Sequence, residues 1–124
     1  MPKLLVVDDE TFIRMLYKKE FESDGYVVLT AATPDEAMTL MKSDRPDVVI
    51  LDIELGDDNG LNMLNRLRQE YRDCAVILNT AYSTYKADFQ SWLADAYLMK
   101  SSDMTPLKNQ VRQLVEKKCC DHRP

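Results

Sequence analysis

The run Val48-Val49-Ile50-Leu51-Asp52 constrains the fold more than any other stretch. Four large apolar residues lead directly into one carboxylate. The run is too short for a typical helix and rich in β-branched residues, so it reads as a strand buried on both faces, as in a parallel sheet covered by helices. Asp52 stands at its carboxyl end, the edge where open α/β sheets bind ligands.

The remaining chain alternates in the same way. Lys3 to Val7 reads as a first strand, closed by Asp8-Asp9-Glu10. The helix after it carries Phe12, Ile13, Leu16, Tyr17 and Phe21 on one face and stops at Asp24-Gly25. Tyr26 to Leu29 is the second strand. Thr33-Pro34-Asp35-Glu36 opens a second helix, with Thr33 as cap and Glu36 placed for a capping box. After the strand ending at Asp52, the polar segment from Glu54 to Gly60 reads as a loop. Leu61, Leu64, Leu67 and Tyr71 mark a third helix. Cys74 to Leu78 is a fourth strand leading to Asn79-Thr80-Ala81, and Tyr85, Phe89, Trp92 and Leu93 suggest a fourth helix. Ala96 to Met99 is a fifth strand ending at Lys100, and Thr105-Pro106 starts a last helix faced by Leu107, Val111, Leu114 and Val115. Strict alternation of strand and helix predicts a doubly wound α/β fold: a five-stranded parallel sheet with five helices on its two faces.

At 124 residues the chain reads as one domain, residues 1–118, with a flexible tail at 119–124. A net charge of −5 argues against a nucleic-acid-binding surface. No apolar run approaches membrane-spanning length, and the start of the chain lacks the apolar core of a secretory signal. Cys74, Cys119 and Cys120 form no disulfide framework, which favours reduced thiols and a cytoplasmic location. Cys119, Cys120 and His122 lack the usual zinc spacing, and a frayed tail is the simpler reading.

On this frame Asp8, Asp9, Asp52, Thr80 and Lys100 all fall at carboxyl ends of parallel strands. Each alone has a plain explanation. Acidic residues favour the positive end of a following helix, Thr80 suits a turn, and Lys100 suits a surface. Asp52 is the sharper signal, because a buried strand rarely ends in a carboxylate without a use. Three converging carboxylates need a counter-charge. An all-oxygen set points to Mg²⁺, and Lys100 adds a second cation. A carboxylate facing cations and a hydroxyl is a phosphoryl site in which Asp52 is the nucleophile.

The pieces Val6-Val7-Asp8-Asp9-Glu10, Ile50-Leu51-Asp52, Gly60, Thr80-Ala81 and Tyr97-Leu98-Met99-Lys100 resemble, in order and spacing, the receiver domain of two-component response regulators. The resemblance runs from Lys3 to about Val115. It implies a flavodoxin-like sheet of order 2-1-3-4-5 and a Mg²⁺-dependent transfer of phosphoryl to Asp52 from a sensor histidine kinase or a histidine phosphotransfer protein. It implies Mg²⁺ held by Asp8, Asp9, Asp52 and the backbone carbonyl of Glu54. Thr80, Ala81 and Lys100 would hold the phosphoryl oxygens. Thr80 and Tyr97 would switch the face built from the fourth helix, fifth strand and fifth helix. That face would engage a downstream protein, an output domain outside this chain, or a second phosphorylated copy. Such a domain supports its own phosphorylation and dephosphorylation but turns over no external substrate.

Three departures stand out. Ser101 follows Lys100 where the family usually has proline with a cis bond; a cis bond before Ser101 would cost about 3–4 kcal/mol against proline's roughly 0.5–1. Gly56 replaces the usual proline after the acceptor, and Glu54, Asp57 and Asp58 crowd that loop with negative charge, which would slow small anionic donors. Tyr82 would either screen water from the acyl phosphate or simply begin the next helix. Two competing functions remain: a receiver-shaped interaction module that needs no phosphoryl group, and a phosphatase of the haloacid-dehalogenase type. The second wants an aspartate two residues after Asp52, where this chain has Glu54.

Overall fold

The structure, a computed structural model, describes residues 2–52, 54–55, 58–80, 95–100 and 103–121, with the backbone alone described at 54–55, 58–61, 80 and 118–121. In chain order the elements are β1 (Lys3–Val7), α1 (Thr11–Ser23), β2 (Val27–Ala31), α2 (Pro34–Asp44), β3 (Val48–Leu51), β4 (Glu54–Leu55), β5 (Asp58–Asn59), α3 (Gly60–Glu70), β6 (Ala75–Thr80), β7 (Ala96–Met99) and α4 (Thr105–Asp121). Five strands form one parallel sheet in the order β2-β1-β3-β6-β7. Counting only the strands of that sheet, this is the expected 2-1-3-4-5. The helices α1 to α4 are the first, second, third and fifth of the sequence reading; the one expected around Tyr85 and Trp92 lies outside the described residues.

The sheet separates two apolar layers, because successive side chains of a strand point to opposite faces. Leu5, Val7, Val49, Leu51, Val76 and Leu78 pack with Ala37 and Met41 of α2 and with Met63, Leu64 and Leu67 of α3. Their neighbours Leu4, Val6, Val48, Ile50, Ala75 and Ile77 pack with Tyr17 and Phe21 of α1 and with Leu107 and Val111 of α4. All four residues of β3 are buried, which is why its sequence shows an unbroken apolar run instead of alternation.

Local signals set the helix ends. Thr33 caps α2 by accepting the Glu36 amide at 3.2 Å, as expected. Glu36 reaches back one residue further than a standard capping box and accepts the Ala32 amide at 3.0 Å. The end of α1 is a Schellman motif: the Gly25 amide donates to the Glu22 carbonyl and the Tyr26 amide to the Phe21 carbonyl, while the Phe21 and Tyr26 rings meet at 6.0 Å. Gly25 has φ +95°, a left-handed conformation that suits glycine.

Two details differ from the sequence reading. Phe12 does not share the buried face of α1; it is 71% exposed, because Ile13, Leu16, Tyr17 and Phe21 complete the inward stripe and Phe12 lies on the helix flank beside Met15. Part of the segment read as an irregular loop is a short antiparallel hairpin, in which Glu54 pairs with Asn59 and Leu55 with Asp58.

A Cβ at Gly25 meets nothing within 4 Å, so Gly25→Ala isolates the backbone cost of positive φ. The substitution is expected to destabilise the fold by about 1–2 kcal/mol. Urea unfolding should show a lower midpoint with an unchanged slope.

Candidate functional site

The site is a consequence of strand alternation. On the face covered by α1 and α4, β1 presents Leu4 and Val6, β3 presents Val48 and Ile50, β6 presents Ala75 and Ile77, and β7 presents Ala96 and Leu98. Two residues on, the same four columns continue as Asp8, Asp52, Asn79 and Lys100. Each strand therefore turns from apolar to polar at its carboxyl end, on one face and along one edge. Backbone bonds carry the ladder into the site: the Asp8 amide donates to the Ala31 carbonyl at 3.1 Å and the Asp52 amide to the Val7 carbonyl at 3.0 Å.

Asp8 and Asp52 are 2% and 4% exposed, an expensive place for carboxylates without a cation. Lys100 supplies one. Its ammonium lies 2.8 Å from Asp8 Oδ2 and 3.0 Å from Asp52 Oδ2, with Glu10 Oε1 further out at 3.9 Å. Burial alone would push the Lys100 ammonium toward its neutral form, but the hydrogen bonds to Asp8 and Asp52 outweigh it and raise the pKa well above the ordinary lysine value. Lys100 is therefore a fixed positive charge at physiological pH. The stabilisation it gains on folding is complete below the unfolded pKa of about 10.4 and is lost only as pH climbs through the higher folded value.

Asp9 completes the acidic group. One carboxylate oxygen from each of Asp8, Asp9 and Asp52 lies within 4.8 Å of the others. Asp9 is exposed on the solvent side of the group while the other two are buried. Asp8 is held from below, since its Oδ1 accepts the Glu10 amide at 2.9 Å and its carbonyl accepts from Arg14 at 2.7 Å. This converging set of hard oxygen donors, more negative in total than Lys100 can balance, fits Mg²⁺ bound by a few carboxylates and several waters.

The other expected residues are placed as follows. Thr80 ends β6 and pairs in register with Met99. Tyr97 is half-buried on the opposite face of β7 from Lys100, packed against the layer that contains α2 and α3, and burial raises its phenol pKa. Glu54 starts β4, two positions beyond Asp52. Ala81, Tyr82 and the Lys100–Ser101 bond lie outside the described residues.

Sequence reasoning overlooked one polar pair beneath the site. The Asn79 carboxamide donates to the Tyr17 hydroxyl at 2.7 Å, and both residues are only 3% exposed. The signal is present in the spacing 75-77-79, which puts Asn79 on the face of Asp52, but Asn79 stands just past the apolar run of the strand and Tyr17 within an apolar stripe. Burial raises the Tyr17 pKa, the Asn79 bond and the Lys100 charge lower it, and the charges of Asp8 and Asp52 raise it, so its hydroxyl lies within the field of the site.

Replacing Lys100 by methionine should cost about 3–5 kcal/mol in the absence of divalent cations, because it leaves Asp8 and Asp52 buried without their ammonium. Added Mg²⁺ should recover more thermal stability in Lys100→Met than in the parent protein, as read by paired melting curves.

Comparison with known proteins places this edge in context. Residues 4–112 match the family model of the response regulator receiver domain. The sensory transduction protein LytT of Bacillus cereus is 36% identical over 107 residues, which are 83% of this chain and 43% of LytT. The response regulator protein TrrA of Thermotoga maritima, crystallised in complex with Mg²⁺-BeF, superposes with a TM-score of 0.88 at 43% identity over 92% of this chain and 99% of TrrA. The complex of TrrA with the histidine kinase ThkA gives 0.85 at 43% identity, covering 92% of this chain and 98% of that one. The chain spans about half the length of two of the curated relatives it matches and 64% of a third.

Proposed function

Because the chain belongs to the response regulator receiver domain family, we propose that it is a phosphorylation switch in a two-component pathway, with Asp52 as the phosphoryl acceptor. One observation carries the reading: a buried carboxylate at the end of the central strand, 3.0 Å from a permanently charged ammonium and grouped with Asp8 and Asp9. A carboxylate oxygen of Asp52 attacks phosphorus. The phosphorus–nitrogen bond of a donor phosphohistidine breaks, its electron pair stays on the imidazole nitrogen, and that nitrogen takes up a proton. The product is an aspartyl phosphate.

Asp8, Asp9, Asp52 and the Glu54 carbonyl would hold Mg²⁺, which when bound supplies charge that neutralises phosphoryl oxygens. Lys100 moves from its bond with Asp52 to a phosphoryl oxygen, and it can do so without a proton change because it is already charged. The Thr80 hydroxyl and the Ala81 amide hold the remaining oxygens. The new charge and acceptor atoms draw on Thr80 and Tyr97 and bias the surface around β7 and α4 between two arrangements. Tyr82 and the acidic hairpin around Glu54 regulate access to the acceptor. The domain turns over no external substrate and works in the cytoplasm.

TrrA has been crystallised with the histidine kinase ThkA, which supports a histidine kinase as the donor here; a histidine phosphotransfer protein is the other donor we propose. The surface offers a place for it. Phe12 and Met15 are 71% and 67% exposed on α1, whose first turn adjoins Asp8 and Asp9. Two large apolar side chains beside an acidic notch suit the flank of a helical donor that presents its histidine to Asp52. The output is a downstream protein, a further domain, or a second phosphorylated copy.

Intact-mass measurement after incubation with Mg²⁺ and a small phosphodonor should show one added phosphoryl group on the parent protein and none on Asp52→Asn. An adduct on both would move the acceptor elsewhere. Phe12→Asp with Met15→Asp should slow transfer from a phosphorylated histidine protein at least about tenfold, the loss of one to two kcal/mol of apolar contact. Transfer from the small donor should stay unchanged.

A further inference from the structure

Asp52 and Asn79 immediately follow Leu51 and Leu78, which are paired in register on adjacent strands. They occupy neighbouring columns of the same sheet face. Neighbouring strands run about 5 Å apart, so the Asn79 carboxamide can reach the Asp52 carboxylate by a change of side-chain torsion. It is instead bonded at 2.7 Å to the hydroxyl of Tyr17, which rises from α1 beneath the sheet edge. On the side of Asn79 away from β3, a cavity of about 30 Å³ is lined by Leu98, Met104, Leu107 and Asp103, so the carboxamide is not packed tightly on every side.

Tyr17 packs in the layer of Leu4, Val6, Phe21, Ile50 and Ile77, while Asn79 stands where that layer gives way to the polar edge. A buried hydrogen bond between two side chains fixes orientation, since either group left alone in an apolar layer is costly.

We propose that Tyr17 is a positioning residue for the phosphoacceptor: its hydroxyl holds the Asn79 carboxamide away from Asp52 and so preserves the nucleophilicity of the attacking oxygen. The inference rests on the assignment of Asp52 as acceptor. Without the hydroxyl, the Asn79 amide turns to the Asp52 carboxylate on the neighbouring column of the same sheet face. An oxygen that accepts an additional hydrogen bond attacks phosphorus less readily, because its lone pair is stabilised in the ground state. Tyr17 thus acts through Asn79 and then through Asp52, with no contact of its own with the donor.

The test compares phosphorylation rates from a small phosphodonor with Mg²⁺ for the parent protein, Tyr17→Phe, and Tyr17→Phe combined with Asn79→Leu. Melting curves confirm that each is folded at the assay temperature. Tyr17→Phe should be slower by about three- to tenfold, the range of couplings carried through one intermediate side chain. The double variant lacks the wandering amide and should return to within about twofold of the parent. A purely structural pair would change the melting temperature and leave the rate of the folded protein alone. Should Tyr17→Phe not fold, the double variant, with an apolar pair in place of the polar one, still decides: a rate more than about threefold below the parent overturns the proposal. An unchanged rate in folded Tyr17→Phe, or a double variant as slow as Tyr17→Phe, also overturns it and leaves the acceptor assignment standing. No adduct on the parent protein overturns both.

Discussion

The Lys100 ammonium between Asp8 and Asp52 is the interaction on which the arrangement of this edge depends. Each of the three groups would be expensive to bury alone. Together they satisfy one another, and they do so across β1, β3 and the end of β7, which are far apart in sequence. The bridge therefore measures the correctness of the whole sheet. If any of these strands slipped by one residue, its charged end would move to the other face and the remaining charges would be stranded.

A buried ion pair of this kind is a weak source of stability, because desolvation offsets much of the attraction. It is well suited to a switch. The ammonium is bound strongly enough to remain protonated and in place, yet its partners are the same carboxylates that a metal and a phosphoryl group would engage. A ligand that replaces Lys100 at Asp52 exchanges one set of charge pairings for another, so the net cost of rearrangement is small compared with either pairing. The receiver domains to which the chain is similar include one crystallised with Mg²⁺-BeF, and the carboxylate triad here has the oxygen donors and spacing suited to such a cation.

Beneath the charges lies a less obvious layer. Asn79 continues the column of Ala75 and Ile77 and lies next to Asp52, and its bond to Tyr17 ties the edge of the sheet to α1. Arg68 plays a comparable part on the other side of β6, donating to the Cys74 carbonyl at 2.9 Å and pairing with Asp95, the residue before β7. Both devices anchor the strands on which the site is built. Neither adds a group to the charge cluster, and both use polar side chains that a periodicity argument passes over.

The sequence by itself determined the alternation of elements, the all-apolar centre of the sheet, the helix signals at Thr33 and Gly25, and the placement of Asp8, Asp9, Asp52 and Lys100 at strand ends. These follow from local chemistry and from short periods of two or 3.6 residues, which are visible in any window of the chain. The short hairpin at Glu54–Asn59 and the outward position of Phe12 were not legible in the same way. The first rests on two strands of two residues each, too brief to show a period, and the second on which of two adjacent flanks of α1 the sheet covers. Only the tertiary structure decided that Lys100 bridges Asp8 and Asp52 and that Tyr17 meets Asn79. These contacts join residues 48, 62 and 92 positions apart only after the strands are paired. No local pattern encodes them, since register across neighbouring strands is set by the packing of both apolar layers at once.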